Sequence, residues 1–172
     1  MDRKNERLLQ GAIGVLAVAL VLVVAGTLEA KVVNTGDTAP KFSIKTDSGK
    51  TISRSDFTGK LLVLNFWATW CAGCVEEMAS LNAFARQFAQ QGVVVLGISI
   101  DRNEPTYRRF LERNRVSFET ARDPEAEISG NYGTFLLPET YLIDRSGKVL
   151  EKVVGSQNWM DPIFLARFKQ ML

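Results

Sequence analysis

The sequence predicts an α/β protein in which helices pack around a mixed central sheet. Three observations carry this. Two apolar runs of strand length, "LLVLNFWA" (61–68) and "VVVLGISI" (93–100), flank a segment of helical periodicity. A strand–turn–strand unit, "TYLID" (140–144) and "KVLEKVV" (148–154), comes later. The chain then closes on a helical segment, "DPIFLARFKQML" (161–172). Strand–helix–strand followed by a hairpin and a helix gives an α/β sandwich.

Taken in chain order, the first element is a span. From Leu8 to Leu28 no residue is charged. As a helix with a rise of about 1.5 Å per residue, this stretch is about 31 Å long, close to the ~30 Å hydrocarbon core of a bilayer. It has no polar face, so a buried core helix fits poorly. A cleaved signal peptide is the alternative, but its apolar core usually runs only ~7–15 residues, and Leu28-Glu29-Ala30 is a poor cleavage site. No cysteine follows to take a lipid. Arg3, Lys4 and Arg7 precede the span, while Lys31 alone follows closely. This balance places the N-terminus in the cytoplasm and the folded part outside. The expected organisation is a cytoplasmic tip and transmembrane anchor over 1–30 and a folded domain over 31–172. The expected location is the bacterial inner membrane, crossed once, with the domain on the periplasmic or other extracytoplasmic side. That compartment is oxidising, and a disulfide can form there.

"KVVNTGDTAPKF" is a linker entering the domain. "FSIKTDSGKTIS" holds two short β-prone runs around Asp47-Ser48-Gly49, a hairpin signal. The run 61–68 is apolar throughout, as in a strand covered on both faces. A helix is predicted from about Cys71 to Gln90, with Met78, Leu81, Phe84 and Phe88 on one face and Gly92 as its stop. The run 93–100 is a second buried strand. "EPTYRRFLERN" is a helix with Pro105 in its first turn. Arg145-Ser146-Gly147 turns the chain between the last two strands, and Pro162 starts the closing helix.

Composition excludes much chemistry. The 172 residues include no histidine and two cysteines, and the net charge is +2. Imidazole-based proteases and hydrolases and histidine-liganded zinc or copper sites are therefore out, as is an all-cysteine zinc site within one chain. The small charge and scattered basic residues argue against a nucleic-acid partner; Arg108-Arg109 fits a solvated helix face.

What remains is the pair Cys71 and Cys74 in "NFWATWCAGCVEEM" (65–78). Cys71 follows a buried strand and sits near a helix N-terminus, where unpaired N–H groups stabilise a thiolate. Cys74 lies roughly one turn on, on the same face. Each thiol can reach the other, as thiol–disulfide exchange requires. A purely structural bond would close a loop of four residues and constrain the unfolded chain little.

"NFWATWCAGCVEEM" resembles the active-site segment of thioredoxin-fold proteins, and "LLPETYLID" resembles their second signature, a strand preceded by a cis-proline loop. The likeness runs from about Val33 to the C-terminus. Glu77, three positions after the second cysteine, and the "PETYLID" run resemble the membrane-anchored TlpA/ResA/CcmG (DsbE) group, and the anchor and hairpin agree. The resemblance implies a thioredoxin fold with an N-terminal hairpin extension. It implies that Cys71 is the exposed attacking thiol and Cys74 the buried resolving thiol. Pro138, if cis, places the backbone of Leu137 beside the sulfurs, where a peptide can pair like a strand. Glu77 tunes the thiols and relays protons in such proteins, although a surface helix glutamate is the plainer alternative, and Glu76 reads as one. A nearby negative charge disfavours thiolate, and burial would raise the pKa of a carboxyl there. The resemblance further implies a protein-disulfide reductase whose clients include apocytochrome c. Its electrons would come from a membrane donor of the DsbD/CcdA kind, and it needs no cofactor and no metal.

There are departures from the pattern. Asn65 stands where thioredoxins proper carry a buried aspartate, which leaves Glu77 as the proton-transfer group. Ala72-Gly73 lacks the proline common between the cysteines. Trp67 reads as core. Trp70 divides between partner contact and packing, and Glu139 between the substrate groove and a solvated loop. Two other functions fit the sequence less well. A peroxiredoxin-like peroxidase needs Thr and Pro where this chain has Ala68 and Leu64. A copper-binding assembly factor of thioredoxin-like fold uses a wider cysteine spacing and a histidine.

Overall fold

The computed structural model describes residues 10–21 and 32–172. Residues 10–21 form a helix, α1, with exposed side chains. The spanning helix expected over Leu8–Leu28 thus lies partly outside the described residues. Among those described, no helix is long and apolar enough to cross a membrane.

The second unit, Val32–Leu172, begins with the hairpin β1 (Ser43–Lys45) and β2 (Thr51–Ser53). Then come β3 (Leu61–Trp67), α2 (Ala72–Phe88), β4 (Val93–Ser99), α3 (Glu104–Arg113), β5 (Glu119–Arg122) and α4 (Glu127–Asn131). The last elements are β6 (Glu139–Ile143), β7 (Val149–Val154) and α5 (Pro162–Lys169). The main sheet has the order β5-β4-β3-β6-β7. β3 pairs parallel with β4, and β4 with β5, while β6 is antiparallel to both β3 and β7. This is the predicted mixed sheet, with two additions.

The additions are β5 and α4. β5 is a four-residue edge strand whose outer residues are half-buried, so no apolar run marks it. α4 is five residues long, contains Gly130 and starts from Ala126 at φ 56°, without a side-chain cap. Helices announce themselves by caps and period; this one has no period, and its cap comes from outside the usual position, Asp123 accepting the Ile128 amide at 2.8 Å.

β3 is buried along its whole length, so alternate side chains feed two cores. Leu62, Leu64 and Phe66 join Tyr132, Tyr141 and the N-terminal residues Val33, Ala39 and Phe42. Leu61 and Val63 join α2 and α5 through Leu81, Phe84, Phe88, Phe164 and Phe168. Phe84 is the hub of the second core, with ring centroids 4.8 Å from Phe88 and 4.7 Å from Phe168. The hairpin is fastened at its tip. Asp47 accepts from the Tyr107 hydroxyl at 2.5 Å and from Thr120 Oγ1 at 2.7 Å, and Tyr107 packs on Trp67 with centroids 5.7 Å apart.

α5 starts where the sequence places it. Asp161 caps it, accepting from the amides of Ile163 and Phe164 at 2.9 and 3.0 Å, and Pro162 occupies the first turn. Replacing Asp161 by alanine should cost about 1 kcal/mol of stability. A lower urea midpoint at unchanged denaturant slope is the expected result.

Candidate active site

The site forms where β3 ends. Its last residue, Trp67, is fully buried against Tyr107 and Phe110, as read from the sequence. The chain then turns, and the turn is pinned. Asp101, just past β4, accepts from the Thr69 amide at 2.8 Å, the Thr69 hydroxyl at 2.7 Å and the Ser99 hydroxyl at 2.6 Å. The sequence reading missed Asp101. Its signal is a polar residue at the carboxyl end of a buried parallel strand, the usual edge for sites in such sheets.

Cys71 comes next as the N-cap of α2, and its Sγ accepts the Cys74 amide at 3.2 Å. The predicted helix start is thus one residue early, because Cys71 keeps an extended backbone and lends its side chain to the cap. The two cysteines are disulfide-bonded, with Cα atoms 5.2 Å apart. Cys71 is 8% exposed and Cys74 is 0% exposed. Only the first sulfur faces a groove, lined also by Trp70, Ile100 and residues 134–137. Gly73 lies between them. A Cβ there would sit 3.3 Å from Pro138 Cδ and 3.3 Å from Ser156 Cβ, so glycine permits the close approach of α2 to the Pro138 loop. The Leu137–Pro138 bond is cis. Trp70 projects outward and is largely exposed, which decides against a packing role.

Glu77 is buried, and the alternative of a surface helix glutamate is overturned. Its Oε1 accepts from Asn65 Nδ2 at 2.9 Å, and its Oε2 accepts from the Gln157 amide at 3.1 Å and the Trp159 indole at 3.2 Å. Burial pushes its pKa up to about 7, against the opposing pull of these donors. Asn65 also donates to Thr140 Oγ1 at 2.9 Å, so the residue in the place of an aspartate now holds the glutamate. Gln157 and Trp159 were not foreseen, because they arrive from a loop about eighty positions away in the chain.

Glu139 follows neither expectation. It opens β6, is buried, and pairs with Lys152 Nζ at 2.5 Å. Strand alternation puts it on the sheet face opposite Thr140, and hence opposite Glu77.

Comparison with known proteins agrees with this geometry. Residues 35–152 match the AhpC/TSA family. The thiol-disulfide oxidoreductase ResA of Bacillus cereus is 36% identical over 122 residues, which cover 71% of this chain and 70% of that protein. The structure of a DsbE-type thiol:disulfide interchange protein from Chlorobium tepidum superposes with a TM-score of 0.71 at 30% identity, covering 81% of this chain and 95% of that one. A thioredoxin-type protein from Neisseria meningitidis gives a TM-score of 0.68 at 29% identity, covering 78% and 89%.

Proposed function

The chain belongs to the AhpC/TSA family, and within it to the ResA, TlpA and CcmG group; as a thiol–disulfide oxidoreductase of thioredoxin fold, we propose, it serves as a membrane-tethered reductant of client disulfides. The observation that carries the reading is the asymmetry of the pair. Cys71 caps a helix at the floor of a groove, while Cys74 is sealed beneath it.

The reaction follows from that asymmetry. Reduced Cys71, as thiolate at the α2 N-terminus, attacks one sulfur of the client disulfide. A Cys71–client disulfide forms, and the other client sulfur leaves as a thiolate and takes a proton. Cys74 then loses its proton and attacks Cys71 Sγ. The Cys71–Cys74 bond forms and the second client thiol is released. The client has gained two electrons and two protons; both electrons and the Cys74 proton come from the protein, and the second proton, shed when Cys71 became a thiolate, returns through solvent. Glu77, one turn beyond Cys74, is the group that accepts the Cys74 proton and passes it on. A pKa near 7 suits it to both tasks. Trp70 and the backbone of Leu137, presented by Pro138, hold the client segment beside Cys71.

Apocytochrome c fits as client, since its paired thiols must be free before haem is attached. A membrane donor of the DsbD/CcdA kind would return the electrons. The span at 8–28 would tether the domain to the inner membrane on its extracytoplasmic side. The direction of flow is tested by the midpoint potential of the Cys71–Cys74 couple. The expected value lies nearer the reducing thioredoxin end, about −270 mV, than the oxidising DsbA end, about −120 mV. Equilibration with redox buffers, read by alkylation and mass shift, measures it. A value at the oxidising end would make the protein an oxidant or isomerase instead.

A further inference from the structure

We propose that this protein selects clients whose reactive cysteine is flanked by large apolar or aromatic side chains, and that Phe135 and Leu136 make the selection. The proposal rests on the oxidoreductase reading above and extends it from chemistry to substrate class.

Three of the most exposed large apolar side chains in the folded unit are Trp70, Phe135 and Leu136, at 68%, 73% and 66%. All three line the groove that holds Cys71. Large apolar groups gathered at one place on a surface mark a contact site, whereas scattered ones do not. Among the described residues, no charged side chain lines this groove. Apart from the Trp70 indole N–H, its polar side chains are already engaged. Ser129 Oγ donates to the Ala126 carbonyl at 3.2 Å, Thr134 Oγ1 bonds the Tyr141 hydroxyl at 3.3 Å, and Cys71 Sγ accepts the Cys74 amide. The side chains of the groove therefore offer a visitor one sulfur, the Trp70 indole N–H and otherwise apolar surface.

The reaction fixes the occupant. A client sulfur must come into line with Cys71 Sγ, so the residues beside the client cysteine lie in this groove and not elsewhere. The backbone groups of residues 135–137 make no hydrogen bond among the described residues, which leaves them free to pair with an extended segment. Side chains flanking the client cysteine then fall against Phe135 and Leu136 on one side and Trp70 on the other. An apolar side chain gains by burial there. A carboxylate would give up part of its water and meet no cationic side chain in return.

Two peptides test this, each with an intramolecular disulfide and identical except for the flanking residues, Leu and Phe in one and Glu in the other. Single-turnover reduction by the pre-reduced full chain in detergent is measured for each. Each rate is divided by the same protein's rate with hydroxyethyl disulfide, which has no flanking side chains. The apolar peptide should react faster by at least about tenfold, the scale on which a hydrophobic pocket discriminates. In the double variant Phe135→Ser/Leu136→Ser the preference should fall to within about twofold. Both side chains are exposed, so the variant leaves the core intact. Equal rates on the two peptides with the unaltered chain overturn the proposal. So does an undiminished preference in the variant, or a variant altered only in self-association or vesicle binding. If hydroxyethyl disulfide is not reduced at all, the oxidoreductase reading fails and takes the proposal with it.

Discussion

Replacing Cys74 by serine should fill cells with covalent adducts between this protein and its clients, and replacing Cys71 by serine should abolish turnover. The two substitutions differ because the two sulfurs differ in access. Cys71 borders the groove and Cys74 is fully enclosed. Without Cys74 the first exchange still occurs, but nothing is placed to attack Cys71 Sγ from within, and the mixed disulfide accumulates. Without Cys71 no thiolate reaches the client, and activity should fall at least about a thousandfold, as when other covalent catalysts lose their nucleophile. Non-reducing electrophoresis of cells expressing each variant separates the cases. Adducts should appear with Cys74→Ser, vanish on reduction, and be absent from the double serine variant. A Cys74→Ser protein that never forms adducts would remove the basis for the mechanism.

The second large effect is on stability and belongs to Glu77. Its pKa rises from 4.5 to about 7 on folding, chiefly because burial disfavours the charged form. Below pH 4.5 the carboxyl is protonated in both states and costs nothing. Between pH 4.5 and about 7 the unfolded state has released the proton while the folded state still holds it, so stability falls across this window, and above it the folded state holds a buried charge that the unfolded state carries freely. A gap of this size corresponds to about 3 kcal/mol, fully expressed only above pH 7. The Glu77→Gln protein should lack this slope. Its amide also meets Asn65, Gln157 and Trp159 imperfectly, a cost that does not vary with pH. The quantity to read is therefore the change with pH in the stability difference between the two oxidised proteins. Denaturant unfolding at pH 4.5, 6 and 8 supplies it. Parallel curves would mean that Glu77 does not titrate in this range.

How far the sequence speaks depends on how local the cause is. The strands at 61 and 93 are legible because burial on both faces writes an unbroken apolar run. α2 and α5 are legible because a period and a cap are written within a few residues. The cysteine pair is legible because its spacing is its chemistry. β5 and α4 are silent for the opposite reason: an edge strand needs little apolar surface, and a five-residue helix shows no period. Glu77 was visible as a candidate, but its burial was not, because Gln157 and Trp159 approach from the loop before α5. Glu139 was misjudged because its partner, Lys152, is found only once β7 lies against β6.

The hairpin fastening reaches further than its small size suggests. Asp47 is the acceptor for the phenol of Tyr107, and that ring forms part of the wall behind Trp67 and, through it, the enclosure of Cys74. A chain shortened to begin at β3 would keep every residue of the redox motif, yet strand a buried hydroxyl at the back of the chamber. The extension is thus a bolt on the far side of the door, and the domain boundary drawn by motif alone would fall on the wrong side of it.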